Sequence, residues 1–358
     1  MPTMHTFSGY LGICCSVLLL LTPYPPASPA KKSLQETRHD CIFPAMGVEF
    51  RVTYYAPADA GIAINRKIKQ RVAQIENSLS DYKTSSEVSR FCQSAPHSIP
   101  QSVSCDFWEL SRTSQAISEQ TDGAFDITIG NLSHLWRMAR KRNRLPTSEK
   151  IGAARELTGF RKLEIHPNRK LRLTQSGIKL DFGGIAKGYS ADQVICLLKQ
   201  HRIQSALVDA GGDICASNPP PGKPAWKVRI RDTQTGPQAT EQIYLKLANA
   251  AVATSGDLNQ YLTVNGRKHS HIIDPRTGQA TTNISMVTVI APNATLADAY
   301  ASAISVAGVS QGLALIENRA NTDCLILARS ENGGEPIERF TSGNWQRSAD
   351  QNQPANPK

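Results

Sequence analysis

The chain contains no C-x-x-C pair, no G-x-x-x-x-G-K-[ST] phosphate loop and no G-x-G-x-x-G fingerprint. Each absence argues against a class. Without paired thiols a zinc site has no ready ligand set. Without the two glycine motifs, neither a Walker-type nucleotide site nor a dinucleotide fingerprint is indicated. No internal repeat is evident. Basic residues are not interleaved with aromatics, so the net charge of +10 does not mark a nucleic-acid module. The densest basic cluster, RMARKRNR at 137–144, reads as a solvated loop. The first thirty residues hold no Lys, Arg, Asp or Glu at all.

What is present is globular in character. Apolar residues make up 40% and charged residues 20% of 358, enough for one large domain or two intermediate ones. The apolar run at 10–22 is followed by PYPPASPA and then Lys31-Lys32, the layout of a signal peptide over 1–30 with cleavage after Ala27 or Ala30. The missing basic n-region keeps an uncleaved anchor as the other reading, although the run is short for a full span. Cys14 and Cys15 fall inside that run and not after it, a poor match to a lipid-attachment box. Six cysteines remain: 41, 92, 105, 196, 215 and 324. An exported location permits disulfides, and Cys92 with Cys105 is one pairing to test.

The stretch that organises the chain is IKLDFGGIAKGYSADQVI, 178–195. A strand-like run carries Asp181 into Gly183-Gly184, Lys187 follows, and a helical pattern begins with Val194, Leu197 and Leu198 on one side. Strand, glycine turn and helix put free amides and a positive dipole end before a phosphate, with Lys187 adding a full charge. The same residues also suit an ordinary turn with a surface lysine. Over a hundred residues on, ATLADAYASAISVAG places Asp298 and Ser302 four apart on one helix face. A carboxylate and a hydroxyl so stacked supply hard oxygen ligands for Mg²⁺; small residues packing closely against a neighbour explain the pattern equally well.

In order, the chain reads as a strand over 46–55, an amphipathic helix over 65–79, and a polar loop at 79–91 carrying Tyr82. A helix over 106–121 opens on Asp106 and Glu109 in capping-box spacing. TDGAFDITIG follows, then a helix over 147–158 and strands at 163–166, 171–174 and 178–182. Next come a helix over 191–200 and a strand at 205–210 ending in Gly211-Gly212, with Asp209 and Asp213 beside the pair. WKVRIRD alternates with one face in solvent, and IYLKL and AVATS continue the strands. A hairpin turns at Asn265-Gly266, with His269 and His271 on one face of the following strand. Asp274 to Gly278 makes a turn. A strand at 286–291, the Asp298 helix, a helix at 311–317 and a strand at 324–328 close the fold. From 343 the composition is polar and rich in Pro, Asn and Gln, the mark of a frayed, disordered tail. Helices and antiparallel strands mix without βαβ alternation, so the class is α+β, with one domain over 31–342.

Taken together and in order, MGVEF, LSDYKTSSEVSRF, DGAFDITIGNLSHLW, KLDFGGIAKGYSAD, ALVDAGGDI, VATSGD…HSHIIDPRTG and ATLADAYASA resemble the ApbE family of flavin transferases, over 46–317. The resemblance implies a T-fold-like α+β architecture. It implies an enzyme that takes FAD with Mg²⁺, attaches FMN to a threonine hydroxyl of a target protein and releases AMP. The target would be a subunit of a membrane redox complex, and the enzyme would be periplasmic or held at the outer face of the cytoplasmic membrane. FAD contacts are implied at Met46, Tyr82, Ala124, Phe125, Asp126, Asp181, Lys187 and Ile273. Mg²⁺ ligands are implied at Asp298, Ser302 and the Gly184 carbonyl, with His271 as general base. Ser302 departs from the family's usual threonine but keeps the hydroxyl. A pyrophosphatase splitting FAD to FMN and AMP, and a non-catalytic envelope FAD-binding protein, are the alternatives.

Overall fold

The computed structural model describes residues 36–230, 243–256, 261–264, 267–329, 337–345 and 349–350. The apolar leader and the Asn265-Gly266 turn lie outside these. Among the described residues, eight strands lie side by side in one antiparallel sheet in the order in which the chain meets them, with strands of smaller sheets in between. They are β1 (Glu36–Ala45), β2 (Val48–Pro57), β3 (Ala206–Ala210), β4 (Ile214–Ala216), β5 (Ala250–Gly256), β6 (Ile284–Ala291), β7 (Asp323–Arg329) and β8 (Ile337–Thr341). Ala45 lies opposite Val48, so Met46-Gly47 is a two-residue hairpin turn with both φ angles positive, 51° and 75°. Met46 therefore opens the turn and does not begin the strand expected at 46–55.

Among the described residues, seven α-helices are inserted between these strands: α1 (Gly61–Leu79), α2 (Glu87–Gln93), α3 (Cys105–Gln120), α4 (Gly130–Lys141), α5 (Ser148–Glu156), α6 (Ala186–Gln200) and α7 (Ala294–Glu317). α1 and α6 pack over β1 to β4, and α7 over β5 to β7. The opposite face is closed by a small sheet containing Trp226–Ile230 and Ile243–Leu247, whose inward residues bury and outward ones stay in water, as the WKVRIRD alternation requires. β6 is covered from both sides. Val287 and Val289 meet the helix layer, while Met286 and Ile290 meet the small sheet. This explains why an antiparallel strand is buried along its whole length, with apolar residues facing both ways. α7 is long and apolar enough to span a membrane, but Ala297, Ala299, Ala301, Ala303 and Ile304 are buried in the core.

Several local expectations are revised. The 178–182 run is extended but belongs to no strand; Asp181 N–H donates to the Ile127 carbonyl at 2.8 Å instead of joining a ladder. α3 is capped by Ser104, whose hydroxyl accepts from Phe107 N–H, and not by Asp106. Asp106 instead accepts from Arg71 and from the Tyr189 hydroxyl at 2.7 Å. The 137–144 cluster is not a loop at its start, because α4 carries Arg137 and Arg140 and buries Leu132, Trp136 and Ala139 on its other face. The tail expected to fray from 343 is ordered at its beginning. Trp345 is fully buried in the core shared with the small sheet, and Ala349 and Asp350 pair with Leu245 and Tyr244. All six described cysteines, Cys92 and Cys105 included, are free thiols. The fold class is α+β, as expected.

Candidate active site

The site begins at the crossing of α6 and α7. α6 starts at Ala186, five residues earlier than the apolar pattern predicts, so Gly183-Gly184 leads straight into it and Lys187 sits in its first turn. Asp181 Oδ1 accepts from Gly183 N–H at 2.8 Å and closes the turn. Asp192, further along α6, accepts from the Ala294 and Thr295 amides at 2.9 and 2.8 Å, which ties down the N-terminus of α7. Asn293 accepts from Leu296 N–H at 2.9 Å and completes that cap. At the crossing itself, a Cβ on Gly188 would run into the Ala294 carbonyl and come within 3.0 Å of Asp298 Cβ. Only glycine permits this approach.

The approach has a chemical result. Asp298 is 4% exposed and accepts from Gly188 N–H at 3.2 Å. A Cβ on Gly184 would lie 2.9 Å from Ser302 Oγ and 3.4 Å from the Phe125 ring, so the Gly184 main chain is held between these two side chains. Asp298, Ser302 and the Gly184 main chain thus all lie at this crossing. Lys187 forms an ion pair with Asp213 and lies 3.5 Å from Asp298 Oδ2. Burial pushes the Asp213 carboxyl up to about 7, the charge of Asp298 adds to this, and the Lys187 ammonium opposes it. Burial works to lower Lys187, but the two carboxylates outweigh it and hold the ammonium above its usual range. Among the described residues no three His, Cys, Asp or Glu side chains form a metal cluster; the expected set includes only one carboxylate.

A cavity of about 1150 Å³ opens in front of this cluster. Met46, Tyr82, Ala124, Phe125, Asp126, Asp181, Gly184, Lys187, His271, Ile273, Asp298 and Ser302 all line it, so the structure brings every sequence-derived candidate to one place. Met46 holds its left-handed backbone through its N–H, which donates to Glu76 Oε1 at 3.0 Å. Strain of this kind in a non-glycine residue collects at functional sites. Asp126 is buried, and its Oδ1 accepts from both the amide and the hydroxyl of Thr128 at 2.7 Å. Burial pushes its carboxyl up to about 6. His271 lies one residue beyond the strand Arg267–Ser270, and it lines the cavity, whereas the His269 ring stacks on Trp136 at 5.9 Å. The two histidines expected on one face therefore divide between the cavity and the α4 side.

Other contributors escaped the sequence reading. Arg137 places its guanidinium 4.1 Å from the centre of the Tyr82 ring and 3.1 Å from Asp81. Burial pushes the Asp81 carboxyl up to about 6, with the charge of Asp181 as the next cause. Tyr82 remains 73% exposed, an aromatic backed by a cation and open to a flat ligand ring. Arg140 is held below its usual range by burial and by Arg137. The helical spacing of Leu132, Trp136 and Ala139 was the signal that could have placed both arginines on a cavity-facing helix. Asp213 offered only its position after Gly211-Gly212.

Comparisons with known proteins point to one family. The model of the ApbE family matches residues 46–326. The FAD:protein FMN transferase of Haemophilus influenzae is 30% identical over 299 residues, covering 80% of this chain and 86% of that one. The apo crystal structure of the Pseudomonas stutzeri flavinyl transferase ApbE superposes with a TM-score of 0.77 at 30% identity, covering 88% of this chain and 97% of that one. The flavin transferase ApbE of Vibrio cholerae gives 0.77 at 26% identity, over 87% and 99%.

Proposed function

The chain belongs to the ApbE family, and from that premise we propose that this enzyme moves the FMN half of FAD onto a threonine hydroxyl of a target protein and releases AMP. The observation that carries the reading is the convergence of Gly184, Lys187, Asp298 and Ser302 at one end of a cavity that also holds His271. Tyr82, backed by Arg137, offers a stacking surface for a ring of FAD.

The donor set fits Mg²⁺. Asp298 and Ser302 carry hard oxygens, the Gly184 main chain lies beside Ser302, and with the Gly184 carbonyl they would hold the ion. When bound, Mg²⁺ supplies charge neutralisation at the pyrophosphate. Lys187 is a fixed cation against Asp213 and Asp298, and its pairing with Asp213 keeps it charged. The amides of the first turn of α6 add donors for phosphate oxygen. His271 takes the proton as the threonine oxygen bonds to the FMN phosphorus. The bond from that phosphorus to the bridging oxygen breaks, and the bridging oxygen leaves on AMP. An imidazole can hold and release a proton near neutral pH, which suits a general base.

The apolar leader at 10–22 supports export, with the enzyme working in the periplasm or at the outer face of the cytoplasmic membrane, on a subunit of a membrane redox complex. His271→Ala tests the base. The variant should bind FAD as tightly as the wild type and release no AMP in the presence of an acceptor; release at the wild-type rate would remove His271 from the mechanism.

A further inference from the structure

We propose that the acceptor protein presents its threonine on an extended segment lying in a second hollow, next to the FAD cavity. This inference rests on the transferase reading. The hollow measures about 580 Å³ and shares two walls with the first cavity. One is α7. Asp298, Ser302 and Val306 follow at four-residue spacing along the first cavity, and Val306 also lines the second, which continues over Ala307 and Gly308. At about 1.5 Å rise per residue, the shared Val306 lies about 6 Å along the helix from Ser302. The other wall is the 271–284 loop. His271, Ile273 and Pro275 face the first cavity, and Asp274, Thr281 and Ile284 the second.

Three features suit this hollow to a peptide. A cavity that must already hold FAD has no room for a folded domain, so the hydroxyl has to arrive on an extended stretch of chain. Gly308, at φ 85° and ψ −178°, breaks the regular geometry of α7 beside the hollow, and only glycine adopts that backbone readily. Such a break takes backbone groups out of regular i to i−4 pairing. The Thr281 hydroxyl is buried and has no hydrogen-bond partner, although its backbone is tied at 2.9 Å to Ser270 and Ile272. A buried hydroxyl without a partner is costly unless a ligand satisfies it. Ile284, Ala328 and Phe340 add apolar lining, and Glu338 on β8 also lines the hollow.

The test uses a pool of synthetic nonapeptides with a central threonine and randomised flanks, incubated with FAD and Mg²⁺ and read by mass for FMN adducts. Ala307→Trp on α7 and Glu338→Trp on β8 change residues that line the hollow and do not line the FAD cavity. Both should bind FAD like the wild type, while adduct yield at limiting peptide falls about tenfold or more. Wild-type yield in variants that bind FAD would overturn the groove and leave the transferase intact. A wild-type chain that makes no adduct, whether or not it releases AMP, would overturn the transferase reading and the groove with it.

Discussion

At the residue scale, the site depends on charges taken out of water and paired. Asp213 and Asp298 share Lys187 in a buried cluster. Removing one partner from such a cluster costs more than never having built it. Asp213→Asn should therefore lower stability by about 1–3 kcal/mol in urea unfolding, less than a full orphaned charge because Asp298 still faces Lys187. An unchanged midpoint would show that Asp213 contributes nothing to holding Lys187. Asp126 gives a pH signature. Its carboxyl titrates at about 6 in the folded chain against 3.8 ordinarily. Between these values the native state keeps a proton that the unfolded state has lost. Stability from this group is thus present in acid and lost as pH rises through about 6. Asp126→Asn keeps an acceptor for Thr128 and removes the titration. From pH 4 to pH 7 the variant should gain on the wild type by at most about 3 kcal/mol. A pH-independent difference would contradict the account.

At the scale of elements, the α6–α7 crossing is the critical contact. Gly188→Ala drives a methyl into the Ala294 carbonyl and should cost about 3 kcal/mol, with weakened Mg²⁺ binding because Asp298 moves with α7. Gly152, inside α5, has nothing within 4 Å of an added Cβ. Gly152→Ala should stabilise by about 0.5–1 kcal/mol, and thermal melts of the two variants should therefore move in opposite directions. The helices were legible in the sequence where apolar residues recur at helical spacing, as at Ile68, Val72, Ile75 and Leu79 of α1. They were not legible at their ends. The first turn of α6, Ala186 to Ser190, is made of small and polar residues fixed by tertiary contact with α7, so the apolar pattern began too late. The 178–182 run has strand composition, but its amides and carbonyls are used by the Ile127 to Gly130 segment. Propensity alone could not show that partner.

At the scale of the whole molecule, a sequential antiparallel sheet with a helix layer on one face and a small sheet on the other brings distant segments to one cavity. Met46, Asp181, His271 and Asp298 are separated by long stretches of chain yet line the same space. The ordered set of motifs carried that grouping because each marks a turn or a helix start facing the cavity. The Arg137–Tyr82–Asp81 arrangement was invisible because no motif spans it; it exists only after α4 packs beside the 80–83 loop. The most direct measurement is intact-mass analysis of a threonine-bearing peptide from a flavin-linked respiratory subunit, incubated with this chain, FAD and Mg²⁺, with and without Asp298→Ala. The account predicts an FMN adduct and stoichiometric AMP with the wild type, and neither with the variant. FAD recovered intact with the wild type, or free FMN with no adduct, would contradict it.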